Sequence, residues 1–104
     1  MLILTTEGAG RPYEPLGLVR GSTVRAKHVG ADIVAGLRNL VGGEVKEYAS
    51  LLAGAREQAT DRMVVQAEAM GADAVVAVRY QTSTIGQMAA EVICYGTAVK
   101  WRDG

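Results

Sequence analysis

The sequence predicts an α+β fold, with two helices packed on a mostly antiparallel sheet in the order β-β-α-α-β-β. Three observations carry this. Across residues 45–70, Tyr48, Leu52, Ala55, Ala59, Met63, Gln66, Ala67 and Met70 recur at spacings of mostly three and four, the mark of one apolar stripe along a helix. Residues 74–82 and 89–101 have strand composition, and a short segment containing Gly86 joins them, which reads as a hairpin. The length, 104 residues, is room for one domain spanning 1–104.

Each element can be justified in turn. Leu2, Ile3 and Leu4 form a short apolar strand, and residues 7–15, with Gly8, Gly10, Pro12 and Pro15, form a loop. Residues 16–25 carry Leu18, Val19, Thr23 and Val24, a strand interrupted by Gly17 and Gly21. Glycine inside a strand marks a bulge or a close backbone approach. Residues 30–41 read as a first helix, with Asp32 at its cap and Ile33, Leu37, Leu40 and Val41 on one face. Gly42 and Gly43 stop it. The long second helix has Glu44 and Glu47 in its first turn, where carboxylates suit the macrodipole, and Gly71 ends it. Ala55 and Ala59 keep its middle small, so a sheet or another helix can approach closely.

A hairpin centred on Ile85 sets Val78 against Val92 and Val76 against Cys94 on one face. Arg79 then meets Glu91, Ala77 meets Ile93 and Val75 meets Tyr95 on the other, and sheets favour such an opposed charge pair. That second face, with Val99 and Trp101, is apolar around one ion pair. Two helices cover one side of a sheet this size. The other side needs a cover, and a second copy is the simplest one, since most soluble oligomers are symmetric homo-oligomers.

Composition narrows the function classes. Eleven bases balance eleven acids, so neither a nucleic-acid footprint nor a polybasic membrane surface is expected. With four Tyr, one Trp and no Phe, the core must be aliphatic. The one cysteine, Cys94, allows no intrachain disulfide and suits a reducing compartment. The N-terminal residues lack the basic and long apolar regions of a signal peptide, and no apolar run is long enough to span a membrane. A cytoplasmic protein is expected.

Several segments in fixed order resemble a known family. They are Thr5-Thr6, Leu37-Arg38-Asn39-Leu40-Val41-Gly42-Gly43, Tyr48, Ala55-Arg56-Glu57-Gln58-Ala59, Ala69-Met70-Gly71-Ala72-Asp73-Ala74-Val75-Val76 and Gly96-Thr97-Ala98-Val99. Together they are similar to the YbjQ-like proteins, a bacterial family described as a "putative heavy-metal-binding domain". The resemblance covers nearly the whole chain, with residues 7–15 the part least like the pattern. It implies helices against an antiparallel sheet and ring-shaped homopentamers, and it implies no reaction.

The candidate sites are sparse. Heavy metals want clustered thiolates and imidazoles, and the chain offers only His28 and Cys94, far apart in sequence. Cys94 reads as a small core hydrophobe and His28 as a loop residue, so no metal or other cofactor is assigned. Ser22, Ser50 and Ser83 sit in no nucleophile motif, and His28 is the only imidazole base. Gly42 and Gly43 precede a helix start, but without phosphate-loop spacing, and Glu44 and Glu47 would repel an anion. They read as turn glycines. Arg38, Tyr48, Arg56, Arg79, Glu91 and Tyr95 are candidates for a subunit junction, either as a polar pocket or as ion pairs fixing register. Thr5 and Thr6 end the first strand, where a hydroxyl could bind a ligand but more often caps the strand. No catalytic motif is present. The leading expectation is a pentameric binding or scaffold protein whose partner is itself. A metal-binding protein with sites built between subunits is the alternative, and an enzyme using carboxylate, Arg or Tyr chemistry at subunit junctions is a third.

Overall fold

The structure, a computed structural model, describes residues 1–26, 42–84 and 89–103, without the side chains of Ala26 and residues 42–48. The elements run β1 (Leu2–Ile3), β2 (Tyr13–Ala26), α1 (Gly42–Ala69), β3 (Ala74–Thr84) and β4 (Ala89–Trp101). One four-stranded sheet has the order β1-β3-β4-β2. The β1–β3 pair is parallel, and the β3–β4 and β4–β2 pairs are antiparallel. The expected class is met as α+β, with one described helix on a mixed sheet. The first helix expected at residues 30–41 lies outside the described residues.

The apolar stripe packs α1 onto the sheet. Ala55, Ala59, Met63 and Ala67 are fully buried against Val19, Val75, Val78, Val92, Cys94 and Ala98. Small residues set the spacing on both sides. A Cβ on Gly21 would collide with the backbone oxygen of Ala59 and the backbone nitrogen of Met63, so only glycine lets helix and strand approach this closely. Gly17 marks the other interruption, at a register shift after Pro15 and with φ of 145°. Both expected meanings of a strand glycine therefore occur in β2.

The helix ends as Gly71 predicts. Gly71 has φ of 76°, the Ala72 amide donates to Ala67 O at 3.1 Å, and the Gly71 amide donates to Glu68 O at 3.0 Å, which is a Schellman cap. Its start differs from expectation. Gly42 and Gly43 lie inside the first turn of α1, where the first amides need no intrahelical partner; the helix they were expected to stop, residues 30–41, lies outside the described residues.

The hairpin register also differs. Arg79 opposes Tyr95, Gln81 opposes Ile93 and Ser83 opposes Glu91, so the expected Arg79–Glu91 pair does not form. The ladder is centred on residue 87 and not 85, and β3 runs on to Thr84. A four-residue offset preserves the faces beyond Arg79. Before Arg79, a bulge between Val76 and Arg79 exchanges them. Val75 faces the helix, whereas Val76 joins Ala74 and Val99 on the second face. Ala77 takes φ of 54° inside this bulge, a conformation that L side chains disfavour.

Candidate functional site

The second sheet face divides into a covered end and an open end. At the covered end, residues 4–13 cross the sheet and Leu4, Ala9, Tyr13 and Trp101 pack on Ala74, Val76 and Val99. The crossing is pinned at several points. The Tyr13 hydroxyl donates to Glu7 O at 2.8 Å, and the Arg102 amide donates to Pro12 O at 3.1 Å. The Arg11 guanidinium lies 4.5 Å from the Trp101 ring centre, a cation–π contact. The expected loop at residues 7–15 is strand from Tyr13 onward, and residues 4–13 supply part of the cover that the sequence assigned to a second copy.

At the open end, three rows cross the sheet: Arg20, Tyr95 and Arg79; Ser22, Ile93 and Gln81; Val24, Glu91 and Ser83. Leu18 is 65% exposed, Val24 58% and Tyr95 38%, while Ile93 is half-buried. Arg20 and Arg79 are the cross-strand partners of Tyr95. This patch is the part of the predicted interface that the described residues leave uncovered.

A groove lies on the helix side of the sheet. The helix sits over β2 and β4, so the outer half of β3 forms a floor beside it. Ala53, Arg56, Glu57, Thr60, Asp61 and Tyr80 line an open groove of about 600 Å³. The Tyr80 and Thr60 hydroxyls are 2.8 Å apart. Burial pushes the Tyr80 phenol above its ordinary value of 10.0, against the opposing hydrogen bond from Thr60. Under the same tyrosine, Cys94 is free and fully buried, and its thiol donates to Met63 Sδ at 3.4 Å. Burial pushes this thiol above its ordinary 9.0, with hydrogen bonds to Tyr80 and Thr60 opposing. A protonated, enclosed thiol is a poor nucleophile and a poor metal ligand.

The predicted site residues are scattered. Arg56 lines the groove. Arg79 and Tyr95 share a row, and Glu91 lies two rows away. The Thr6 hydroxyl donates to Gly8 O at 2.7 Å, while Thr5 O accepts from the Arg79 guanidinium at 2.8 Å, so both threonines serve the turn after β1. Tyr48 falls in α1, with its side chain undescribed. Arg38 and His28 lie outside the described residues. Tyr80, Thr60 and Leu18 were missed. Tyr80 was covered only as part of the strand at residues 74–82, and it meets Thr60 in the register that sets it opposite Cys94.

The family described as "putative heavy-metal-binding" matches residues 1–102. The chain belongs to this YbjQ-like family. A UPF0145 protein of Methanosarcina acetivorans is 56% identical over 102 residues, covering 96% of each chain. One of Clostridium novyi is 52% identical over 101 residues, covering 96% of this chain and 98% of its own. The YbjQ-like family therefore reaches into the archaea and is not confined to bacteria as expected. A crystal structure of a Pediococcus pentosaceus protein of unknown function has a TM-score of 0.66 at 15% identity over 98% of both chains, which supports the fold. The heavy-metal description finds little to hold a metal here. No group of three His, Cys, Asp or Glu converges among the described residues, and the thiol of Cys94 is enclosed. Among the described residues no helix is long and apolar enough to cross a membrane.

Proposed function

We propose that the chain acts in the cytoplasm as a homo-oligomeric binding or scaffold module, a pentameric ring whose working surfaces are made by assembly. The observation that carries this reading is the open end of the second sheet face. Leu18 and Val24 stand mostly exposed beside Ile93 and Tyr95, and such clustered apolar exposure on a sheet marks an interaction surface. The chain's own residues 4–13 cover the other end and stop short of this one. The subunit number comes from the family resemblance. Native mass spectrometry of untagged protein purified without chelators tests the reading. A mass near five times the 10.9 kDa of the chain is expected, and a monomer overturns it.

The family's description favours a second reading, a metal site built between subunits. Cys94 cannot supply it alone in its enclosed, protonated state, so ligands would have to come from several copies. A His28→Ala, Cys94→Ala double variant should then lose the metal carried by the assembly. Unchanged metal stoichiometry removes both nominated ligands.

A further inference from the structure

The long helix carries two stripes. One, through Ala55, Ala59 and Met63, is buried on the sheet. The other, Ala53, Arg56, Glu57, Thr60 and Asp61, repeats the same spacing of three and four and overhangs the outer half of β3. With Tyr80 it lines the groove of about 600 Å³, a volume ordinary for small-molecule sites. Arg56, Glu57 and Asp61 have no oppositely charged partner among the described residues, where the ion pair is Lys100 with Asp73.

The hydrogen bonds of the groove have a fixed direction. The Thr60 hydroxyl donates to Arg56 O at 2.7 Å, because a carbonyl oxygen can only accept. Its one proton is then engaged, so the Tyr80 hydroxyl, 2.8 Å away, donates to Thr60. Burial holds the phenol in its protonated form. The Tyr80 oxygen therefore meets a ligand only as an acceptor. The carboxylates of Glu57 and Asp61 are acceptors too, and the Arg56 guanidinium is the free donor among the lining side chains.

These groups fall at two levels. Arg56 and Glu57 are neighbours in sequence. Asp61 lies one turn beyond Glu57, about 6 Å along the axis, at the level of Thr60 and hence of the Tyr80 hydroxyl. The first level pairs a cation with an anion. The second offers acceptors alone, beside a ring that is 45% exposed. The charges sum to −2 + 1 = −1. A ligand that satisfies every group has a carboxylate and an ammonium at one end, an aliphatic chain, and a second ammonium at the other end. Its single net positive charge balances the groove. A neutral amino acid leaves Asp61 unpaired, and a diamine leaves Arg56 facing only cations.

We propose that this groove binds a free basic amino acid of the lysine or ornithine type, with its α-carboxylate on Arg56, its α-ammonium on Glu57 and its side-chain ammonium on Asp61 and the Tyr80 oxygen. The methylenes lie along the Tyr80 ring, whose face also attracts the terminal cation. The site is built within one chain and does not depend on the assembly proposed above.

Isothermal titration calorimetry on the full chain as purified tests this, with lysine as the probe. Saturable binding is expected. Norleucine, which lacks the second ammonium, and cadaverine, which lacks the carboxylate, should each bind at least about 10-fold more weakly. Asp61→Asn should weaken lysine about 10-fold and leave norleucine unchanged. Arg56→Gln should weaken lysine about 10-fold and leave cadaverine unchanged. Tyr80→Phe, which keeps the ring, should weaken lysine about 3-fold. The α-acetylated amide of lysine, which stands for a lysine within a protein, should bind at least about 10-fold more weakly than the free amino acid. Arg56, Asp61 and Tyr80 are all exposed, so the variants should fold, and an unchanged circular-dichroism spectrum checks this. Absence of saturable lysine binding overturns the proposal and leaves self-assembly standing. So does norleucine, cadaverine or the acetylated amide binding as tightly as lysine, or a folded Asp61→Asn or Arg56→Gln that binds lysine like the wild type. A monomer that binds lysine with the expected pattern overturns self-assembly and leaves the groove standing.

Discussion

The two faces of this sheet are closed by different means. Among the described residues, one is sealed by a helix whose contact residues are mostly alanine, and there the fit depends on backbone approach. The other is covered at one end by a pinned crossing of ten residues, 4–13, held by a tyrosine hydroxyl, a tryptophan and a few backbone bonds, and its far end is left open by the described residues. Substitutions on the helix face should act through steric fit. Those on the second face should act through individual polar contacts, or through assembly.

The comparison can be broken first at Gly21. Gly21→Val places side-chain atoms into the α1 backbone, and overpacking of this kind costs about 3 kcal/mol or more. Urea unfolding should show a severe loss or no folded protein. A mild effect would mean the helix can lift from the sheet. Next is Met63→Ala, which empties the largest fully buried side chain among the described residues. A loss of about 2–5 kcal/mol is expected, measured as a lower urea midpoint at unchanged slope.

On the second face the effects shrink. Tyr13→Phe deletes the bond to Glu7 O and should cost about 1 kcal/mol. A proteolysis assay should show faster cleavage within residues 4–13 and little change in α1. Leu18→Ser should leave subunit stability within about 0.5 kcal/mol while weakening association on dilution. Equal association of wild type and variant would move the contact surface elsewhere. The smallest effect concerns pH. The thiol of Cys94 is raised in the fold, so the folded state binds its proton more tightly than the unfolded chain. Its contribution should be constant through neutral pH and decline as pH rises past the ordinary thiol value of 9.0. Cys94→Ala should flatten that decline in stability-versus-pH curves.

The helix face was largely legible because its cause is periodic. A stripe of small residues three and four apart requires a close partner, and Gly21 stands where that partner's backbone arrives. The second face was less legible because its determinants are not periodic. One bulge exchanged Val75 and Val76, and nothing in Val75-Val76-Ala77-Val78 distinguishes a bulged run of small aliphatics from a regular one. A hairpin's centre depends on turn geometry, so Arg79 and Glu91 were paired on charge when the strands extend two residues further. Residues 7–15, with Pro12 and Pro15, read as a connection because no pattern announces that β2 begins at Tyr13 or that Leu4, Ala9 and Tyr13 pack on the sheet. Among the site candidates, Arg79 and Tyr95 were placed on the correct face, while Tyr80 and Thr60 met only through the true register.

The short strand β1 has a consequence for the order of events during synthesis. Leu2 pairs with Ala74 and Ile3 with Val75, a separation of 74 − 2 = 72 residues. Contacts this distant along the chain are entropically slow to form. At roughly 5–20 residues per second, the first strand leaves the ribosome several seconds before its partner exists. Until then Leu2, Ile3 and Leu4 are an unpaired apolar segment, available to chaperones or to the neighbouring nascent chain.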